Sequence, residues 1–351
     1  MTRSLPTRRA FVALSALSVA TVFAPAVVRA GGANAAPLGS VTIAVGGQGV
    51  LYHLPLVLAD QLGFFREEGL DVVVSDFPAG ALAVQAVQSG AADVCVGAFE
   101  HTLRQQVSGH AYRSLVVLGR APQLALGVSL RALPSFKAVA DLAGRRIGVS
   151  SIGSSTHLAA SLVLARAGLA PQAASFVAVG SGKQALNALR SGRVHALCHA
   201  DPIMTLLEQK ADTRIAADMR SLKAAQDLFG ANMPASCLYA PQAFVQKNAA
   251  QAQALANGIV HALKWLQTAA PGDLVKAVPP GYLMGDRGLY LAAFNRVRET
   301  YSTNGLMADD GAATALRVLT RVQPELADVK VDLARTYTND FVRKARQKHN
   351  V

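Results

Sequence analysis

The chain has 351 residues, 51% of them hydrophobic and 16% charged, and a net charge of +12. That apolar share excludes a disordered chain, and beyond the first thirty residues no uncharged apolar run is long enough to cross a bilayer. The basic residues are scattered apart from Arg343-Lys344-Ala345-Arg346-Gln347-Lys348, which reads as a solvated helix end, so no nucleic-acid partner is expected.

The N-terminus reads as an address. Thr7-Arg8-Arg9-Ala10-Phe11 is a twin-arginine pair followed by an aromatic, and an uncharged run from Ala10 to Val28 comes next. Val28-Arg29-Ala30 and Ala33-Asn34-Ala35 place small residues where a signal peptidase cuts, so residues 1–35 are expected to be a twin-arginine signal peptide cleaved after Ala30 or Ala35. The run has the length of a membrane anchor, but its Ala and Ser content and cleavage-like end favour a leader and a periplasmic destination. A lipoprotein is excluded because the first cysteine is Cys95. Removing the leader takes Arg3, Arg8, Arg9 and Arg29 with it and leaves a charge of +8, consistent with an anionic ligand. Some 315 residues then remain, enough for two cores. Cys95, Cys198 and Cys237 are odd in number; the first two fall inside expected strands and read as buried and unpaired.

In chain order, Val41–Val45 is a β-branched strand ending in Gly46-Gly47-Gln48-Gly49, and a helix over 54–62 follows, closed by Gly63. A strand over 70–77 stops at Pro78-Ala79-Gly80; a helix over 81–89, a strand over 92–97, a helix over 102–108 and a strand over 112–118 come next. The same grammar restarts with a strand over 147–150, the turn Ser151–Ser155, a helix to Ala167, a strand over 175–179, a helix over 184–191 and a strand over 194–198. Beyond 243 the pattern is helical, at 249–268, 289–302, 309–319 and 338–346. Strands alternating with helices of about ten residues indicate an α/β chain built on parallel sheets. The restart divides it into one lobe of residues 38–125 plus 236–351 and another of 130–232, with crossings at 124–130 and 236–243.

In such sheets ligands sit beyond the carboxyl ends of the strands, where loops open into helix N-termini. The sharpest candidate is Gly153-Ser154-Ser155-Thr156, where free amides and hydroxyls can meet one anionic group; His157 follows it, and ordinary N-capping is the plainer reading. Gln48, Gly49, Tyr52 and His53 occupy the first strand-to-helix turn, and Pro78, Gly80, Phe99, Glu100 and His101 the next two. Asp201, before Pro202, follows the strand ending at Cys198 and would also serve as a cap. His53, His101, His157 and His199 all fall near these turns, but no pair has chelating spacing within one element, so no metal is expected. His195 and His199 lie about 13 Å apart along a strand. Gly180-Ser181-Gly182-Lys183-Gln184 only superficially suggests a phosphate loop, because Val177 and Gln184 break the pattern. With no catalytic motif and no cofactor fingerprint, no enzyme activity and no cofactor are expected.

Several stretches together resemble a known family. Tyr52-His53-Leu54-Pro55-Leu56-Val57-Leu58-Ala59, Gly63-Phe64-Phe65-Arg66-Glu67-Glu68-Gly69-Leu70-Asp71-Val72, Phe77-Pro78-Ala79-Gly80, Val87-Gln88-Ser89-Gly90-Ala91-Ala92-Asp93-Val94, Asp141-Leu142-Ala143-Gly144-Arg145-Arg146-Ile147-Gly148-Val149, Gly153-Ser154-Ser155-Thr156-His157 and Ala200-Asp201-Pro202 are similar to the nitrate/sulfonate/taurine family of periplasmic binding proteins, in that family's order over about residues 41 to 270. The resemblance implies a periplasmic-binding-protein-like fold, two α/β lobes with a ligand cleft between them. It also implies a monomeric receptor that delivers a small organic anion (a sulfonate, taurine, nitrate or an aromatic carboxylate) to an ABC permease with its ATPase. Three alternatives stay open: a receptor for a neutral heteroaromatic such as a thiamine pyrimidine precursor or flavin, an enzyme of the thiamine-precursor type, whose cysteine-rich signature is absent, and a periplasmic sensor subunit.

Overall fold

Two β-branched runs open the fold of the computed structural model, which describes residues 37–351; the expected leader over residues 1–35 lies outside them. Strand β1 (Gly39–Gly46) is buried along its second half and pairs in parallel with β2 (Leu70–Phe77). Between them run α1 (Leu54–Gln61), started by Pro55 where a missing amide proton costs nothing, and the single turn α2 (Phe64–Glu67). Next come α3 (Gly80–Gln88), β3 (Val94–Ala98), α4 (Glu100–Val107) and β4 (Tyr112–Val117). The chain then crosses as β5 (Leu124–Ser129) and continues through β6 (Arg146–Val149), α5 (Ser155–Arg166), β7 (Ser175–Ala178), α6 (Lys183–Arg190) and β8 (Ala196–Ala200). It goes on through α7 (Ile203–Gln209), β9 (Thr213–Asp218) and α8 (Leu222–Phe229), and returns as β10 (Ser236–Pro241). The rest is helical: α9 (Gln242–Lys247), α10 (Ala249–Thr268), α11 (Pro271–Ala277), α12 (Arg287–Val297), α13 (Gly311–Val322) and α14 (Asp340–His349).

The strands form two five-stranded sheets, in the orders β2-β1-β3-β10-β4 and β7-β6-β8-β5-β9. Both are mixed, which corrects the expectation of parallel sheets. β10 runs antiparallel to β3 and β4, and β5 antiparallel to β8 and β9. These are the two crossing segments. β5 follows β4 directly and β10 follows α8, but each joins a sheet other than the one it leaves, so neither closes a strand–helix–strand unit within one sheet and nothing imposes the parallel sense that such a unit requires. Both are almost wholly buried, so sheet pairing also satisfies their backbone polar groups.

Several elements escaped the sequence: α2, α7, β9, α8, α9 and α11, and the strand character of the two crossings. β9 reads Thr-Arg-Ile-Ala-Ala-Asp, is half-exposed along most of its length and carries charges near both ends, so its pattern lacks the alternation that marks a strand. Helix α4 begins at Glu100, two residues earlier than expected, and β8 ends at Ala200 rather than Cys198. The basic tail is not wholly solvated. Lys348 reaches Glu68 at the end of α2 at 2.6 and 2.7 Å, and Asn257 of α10 donates to the same carboxylate, which ties α14 down onto the first sheet's helices. Cys95, Cys198 and Cys237 are all buried and unpaired. No helix among the described residues is long and apolar enough to cross a membrane.

Candidate functional site

The turns after the strands of the two sheets face one another. Gly46, Val50, Tyr52, His53, Gly80 and His101 come from the first sheet's turns, and Ser150, Ser155, Thr156, Ser181 and His199 from the second's. They enclose a cavity of about 40 Å³, room for about three waters or one small polar group.

Each wall has a physical origin. Helix α5 starts at Ser155, and its first amides, Ser155 and Thr156, have no intrahelical acceptor; both residues line the cavity. Thr156 Oγ1 accepts the Ser150 amide at 2.9 Å and lies 2.9 Å from the Ser150 hydroxyl, so it also ties the end of β6 to the helix. Gly80 brings the start of α3 to the same space. The antiparallel strand β10 orients two imidazoles: His53 Nδ1 lies 3.2 Å from the Ser236 hydroxyl, and His101 Nδ1 lies 2.9 Å from the Tyr239 hydroxyl. Burial pushes both rings down to about 3 and lowers His199 as well, so all three are neutral at pH 7. No Lys or Arg lines this cavity.

The expected site residues divide. Gly80, Tyr52, His53, His101, Ser155 and Thr156 are brought together. Gly49 and Pro78 line instead an adjoining outer chamber of about 850 Å³, which shares Val50 and Ser181 with the inner cavity and includes Lys183 and Tyr282. Glu100 sits behind, in a crevice with Tyr52 and Ser155. Six others do not reach the inner cavity. The backbone amides of Gly47 and Gln48 both donate to Asp76 Oδ1, which holds the first glycine turn. The Phe99 ring is fully buried in the core. Gly153 has φ +85°, a conformation glycine adopts without strain, and donates its amide to His157. His157 is thereby turned away, with its ring edge-on to Phe176. The Ser154 hydroxyl lies 2.7 Å from that of Ser151 and accepts the Ala81 amide across the cleft.

Asp201 is fully buried and accepts the Thr205 amide at 2.7 Å, the capping role weighed above. Its carboxylate faces Arg220, which also binds Asp218 and Glu208. Ser150, Ser181 and His199 line the cavity although they were not among the expected contacts. Ser181 was discoverable from the sequence, because it follows a strand and precedes a helix just as Ser155 does.

Glu100 carries a pH consequence. Its Oε1 has no partner, and burial pushes the carboxyl up to about 7. A carboxyl raised in the folded state binds its proton more tightly than the unfolded chain does, so its stability contribution falls as pH rises from about 4.5 to 7. That gap corresponds to about 3 kcal/mol. Glu100→Gln is therefore expected to be more stable than the parent at pH 8 by up to about 3 kcal/mol, with the difference shrinking towards pH 5. Urea midpoints at the two pH values check this; an equal difference at both would refute it.

The architecture is that of the periplasmic-binding-protein fold. The periplasmic nitrate-binding protein NrtA of Synechocystis PCC 6803 matches it with TM-score 0.68 at 16% identity, over 90% of each chain. The alkanesulfonate-binding protein SsuA of Xanthomonas axonopodis pv. citri, bound to MOPS, matches with TM-score 0.62 at 20% identity, over 89% of this chain and 98% of that one. A solved protein of Bordetella bronchiseptica RB50 is much nearer, with 48% identity and TM-score 0.87 over 89% of this chain and 98% of its own. The family model described as "NMT1/THI5 like" matches residues 50–270, and the chain belongs to that family. Among curated proteins, 4-amino-5-hydroxymethyl-2-methylpyrimidine phosphate synthase of Legionella pneumophila is 28% identical over 98 residues; the match covers 28% of this chain and spans 30% of that relative's length.

Proposed function

We propose that the protein is the non-catalytic solute receptor of an ABC importer, exported by its twin-arginine leader, and that it holds a small organic anion between lobes 38–125 plus 236–351 and 130–232. The observation that carries this reading is the meeting of the α3 and α5 N-termini with Ser150, Ser155, Thr156 and Ser181 in one cavity between the two sheets. Unpaired amides there favour negative charge, and a charge-assisted hydrogen bond contributes about 1.5–3 kcal/mol. The similarity to nitrate- and sulfonate-binding proteins supports it. A permease with its ATPase would be the partner, with the chain acting as a monomer.

A neutral heteroaromatic ligand is the second reading. It is favoured by the absence of Lys and Arg from the inner wall and by the uncharged imidazoles. A thermal-shift screen of small solutes separates the two, since a bound solute raises the melting point by mass action. Binding of the best anion is expected to weaken about tenfold in Ser155→Ala. Thr156→Val should also weaken it, with some loss of stability because Thr156 supports Ser150. An anion affinity within twofold of the parent in Ser155→Ala, alongside its abolition in Tyr52→Ala, would favour the heteroaromatic. Recovery of a chemically altered solute would end the receptor reading.

A further inference from the structure

A groove of about 560 Å³ opens between the C-terminal end of α10, the end of α12 and the loop joining β4 to β5, and it shares no residue with the cleft. Its charged lining is Arg120, Arg296, Arg298 and a lone carboxylate, Glu299. Exposed arginines ordinarily mark no more than a solvated face. Here two guanidinium groups are fixed in place, and by uncharged atoms. Arg120 Nε and Nη2 both donate to the Glu299 carbonyl oxygen, at 3.3 and 3.0 Å. Arg298 Nη2 donates to the Gln267 carbonyl oxygen at 3.3 Å, and its guanidinium carbon stands 5.8 Å from the centre of the Phe294 ring, within cation–π range. Neither arginine joins an ion pair among the described residues. Arg296 differs, since Glu208 of α7 neutralises it. The Glu299 carboxylate is engaged as well, because its Oε1 accepts the Leu222 amide at 2.9 Å.

Arg120 and Arg298 thus keep their full charge while part of their ordering entropy is already spent, which lowers the cost of binding an anion. Each also keeps N–H groups that make no hydrogen bond among the described residues: Nη1 of Arg120, and Nε and Nη1 of Arg298. The dipole of α10 opposes an anion at its C-terminal end, but the carbonyl concerned, that of Gln267, is the one Arg298 covers. Leu263, Leu266 and Tyr301 add apolar surface to the lining, more than a bare inorganic ion would use. We propose that this groove is a second ligand site, for a small organic polycarboxylate. Its carboxylates pair with Arg120 and Arg298, and its carbon skeleton rests against Leu263 and Leu266. The proposal stands apart from the receptor reading, since no cleft residue takes part in it.

The test is calorimetry on the full chain at low ionic strength, with citrate as the probe and acetate and inorganic phosphate, at matched ionic strength, as comparisons. Citrate is expected to bind with Kd on the order of 1 mM or tighter, and about tenfold or more tightly than either comparison. Arg120→Gln combined with Arg298→Gln should weaken it about tenfold or more, since charge-assisted bonds are lost at both positions. Thr303→Glu keeps the test decisive even if that double variant fails to fold. Thr303 lines the groove, is exposed and uses only its backbone carbonyl, which accepts from Gln267, so the change leaves both arginines in place while setting a carboxylate among them. It should weaken citrate to a similar degree. Ser155→Ala, which alters the cleft, should leave citrate affinity within about twofold, as expected for separate sites. No saturable heat from citrate at about 10 mM, citrate no tighter than acetate or phosphate, or an affinity unchanged in Thr303→Glu would each overturn the inference and leave the receptor reading intact. Loss of citrate binding in Ser155→Ala would place the anion in the cleft, which overturns the inference and supports the receptor reading.

Discussion

Alanine at Gly46 is expected to destabilise the protein by about 4 kcal/mol or more, a cost reached only when buried atoms cannot move aside. A Cβ there would stand 2.2 Å from the Gly80 nitrogen and 2.4 Å from the Ala79 carbonyl carbon, both backbone atoms. Neither side can yield. Gly46 is paired with Phe77 in the sheet, and Ala79 is fully buried. Gly46 and Gly80 are also both walls of the cavity, so any relief would come by displacing α3 from the ligand space. Gly272→Ala is the matched control: nothing lies within 4 Å of the added methyl, and the first turn of α11 accepts alanine, so stability should hold or rise by about 0.5 kcal/mol. Chemical denaturation of both variants decides; equal midpoints would show that the turn can move.

Arg220→Met is expected to cost about 3–5 kcal/mol, because it leaves the fully buried Asp201 carboxylate without the one cation that pairs with it. Asp201 is fully buried, and burial already pushes its carboxyl above the ordinary value against the pull of Arg220. In a domain whose whole stability is about 5–15 kcal/mol, such a loss is close to unfolding. Pairing it with Asp201→Asn should return part of the stability, since the remaining polar group is uncharged and still accepts the Thr205 amide. A double variant no more stable than Arg220→Met would mean that Asp218 and Glu208, not Asp201, set the cost.

Much of the fold was legible because local patterns and tertiary environment agree. β2 was expected over 70–77 and α10 over 249–268, and both are observed with those bounds. Each has a strong period and clear stops. β9 failed for the opposite reason, being short, half-exposed and without alternation, whereas α8 carried legible stops, Ser221 whose hydroxyl accepts the Ala224 amide and Gly230 in the left-handed conformation. At the site the strand-to-helix rule was a sound guide to the turns but not to the side chains within them. Ser155 and His157 are two residues apart in one helix; one lines the cavity and the other is turned onto Phe176 by an amide from Gly153.

The sequence by itself determined the α/β grammar, the restart near 146 and the serine-rich turn that opens α5. These follow from period, β-branching and glycine placement, which act over a few residues. It also carried the family likeness, since order and spacing of motifs survive in one dimension. Tertiary structure alone decided that the crossing segments run antiparallel, that Asp201 is paired with Arg220, and that His199 comes to line the cavity. Strand direction and ion pairing depend on which distant groups arrive at hydrogen-bonding distance. Residues such as Asp201 and Arg220, or His101 and Tyr239, meet only after the sheets have formed.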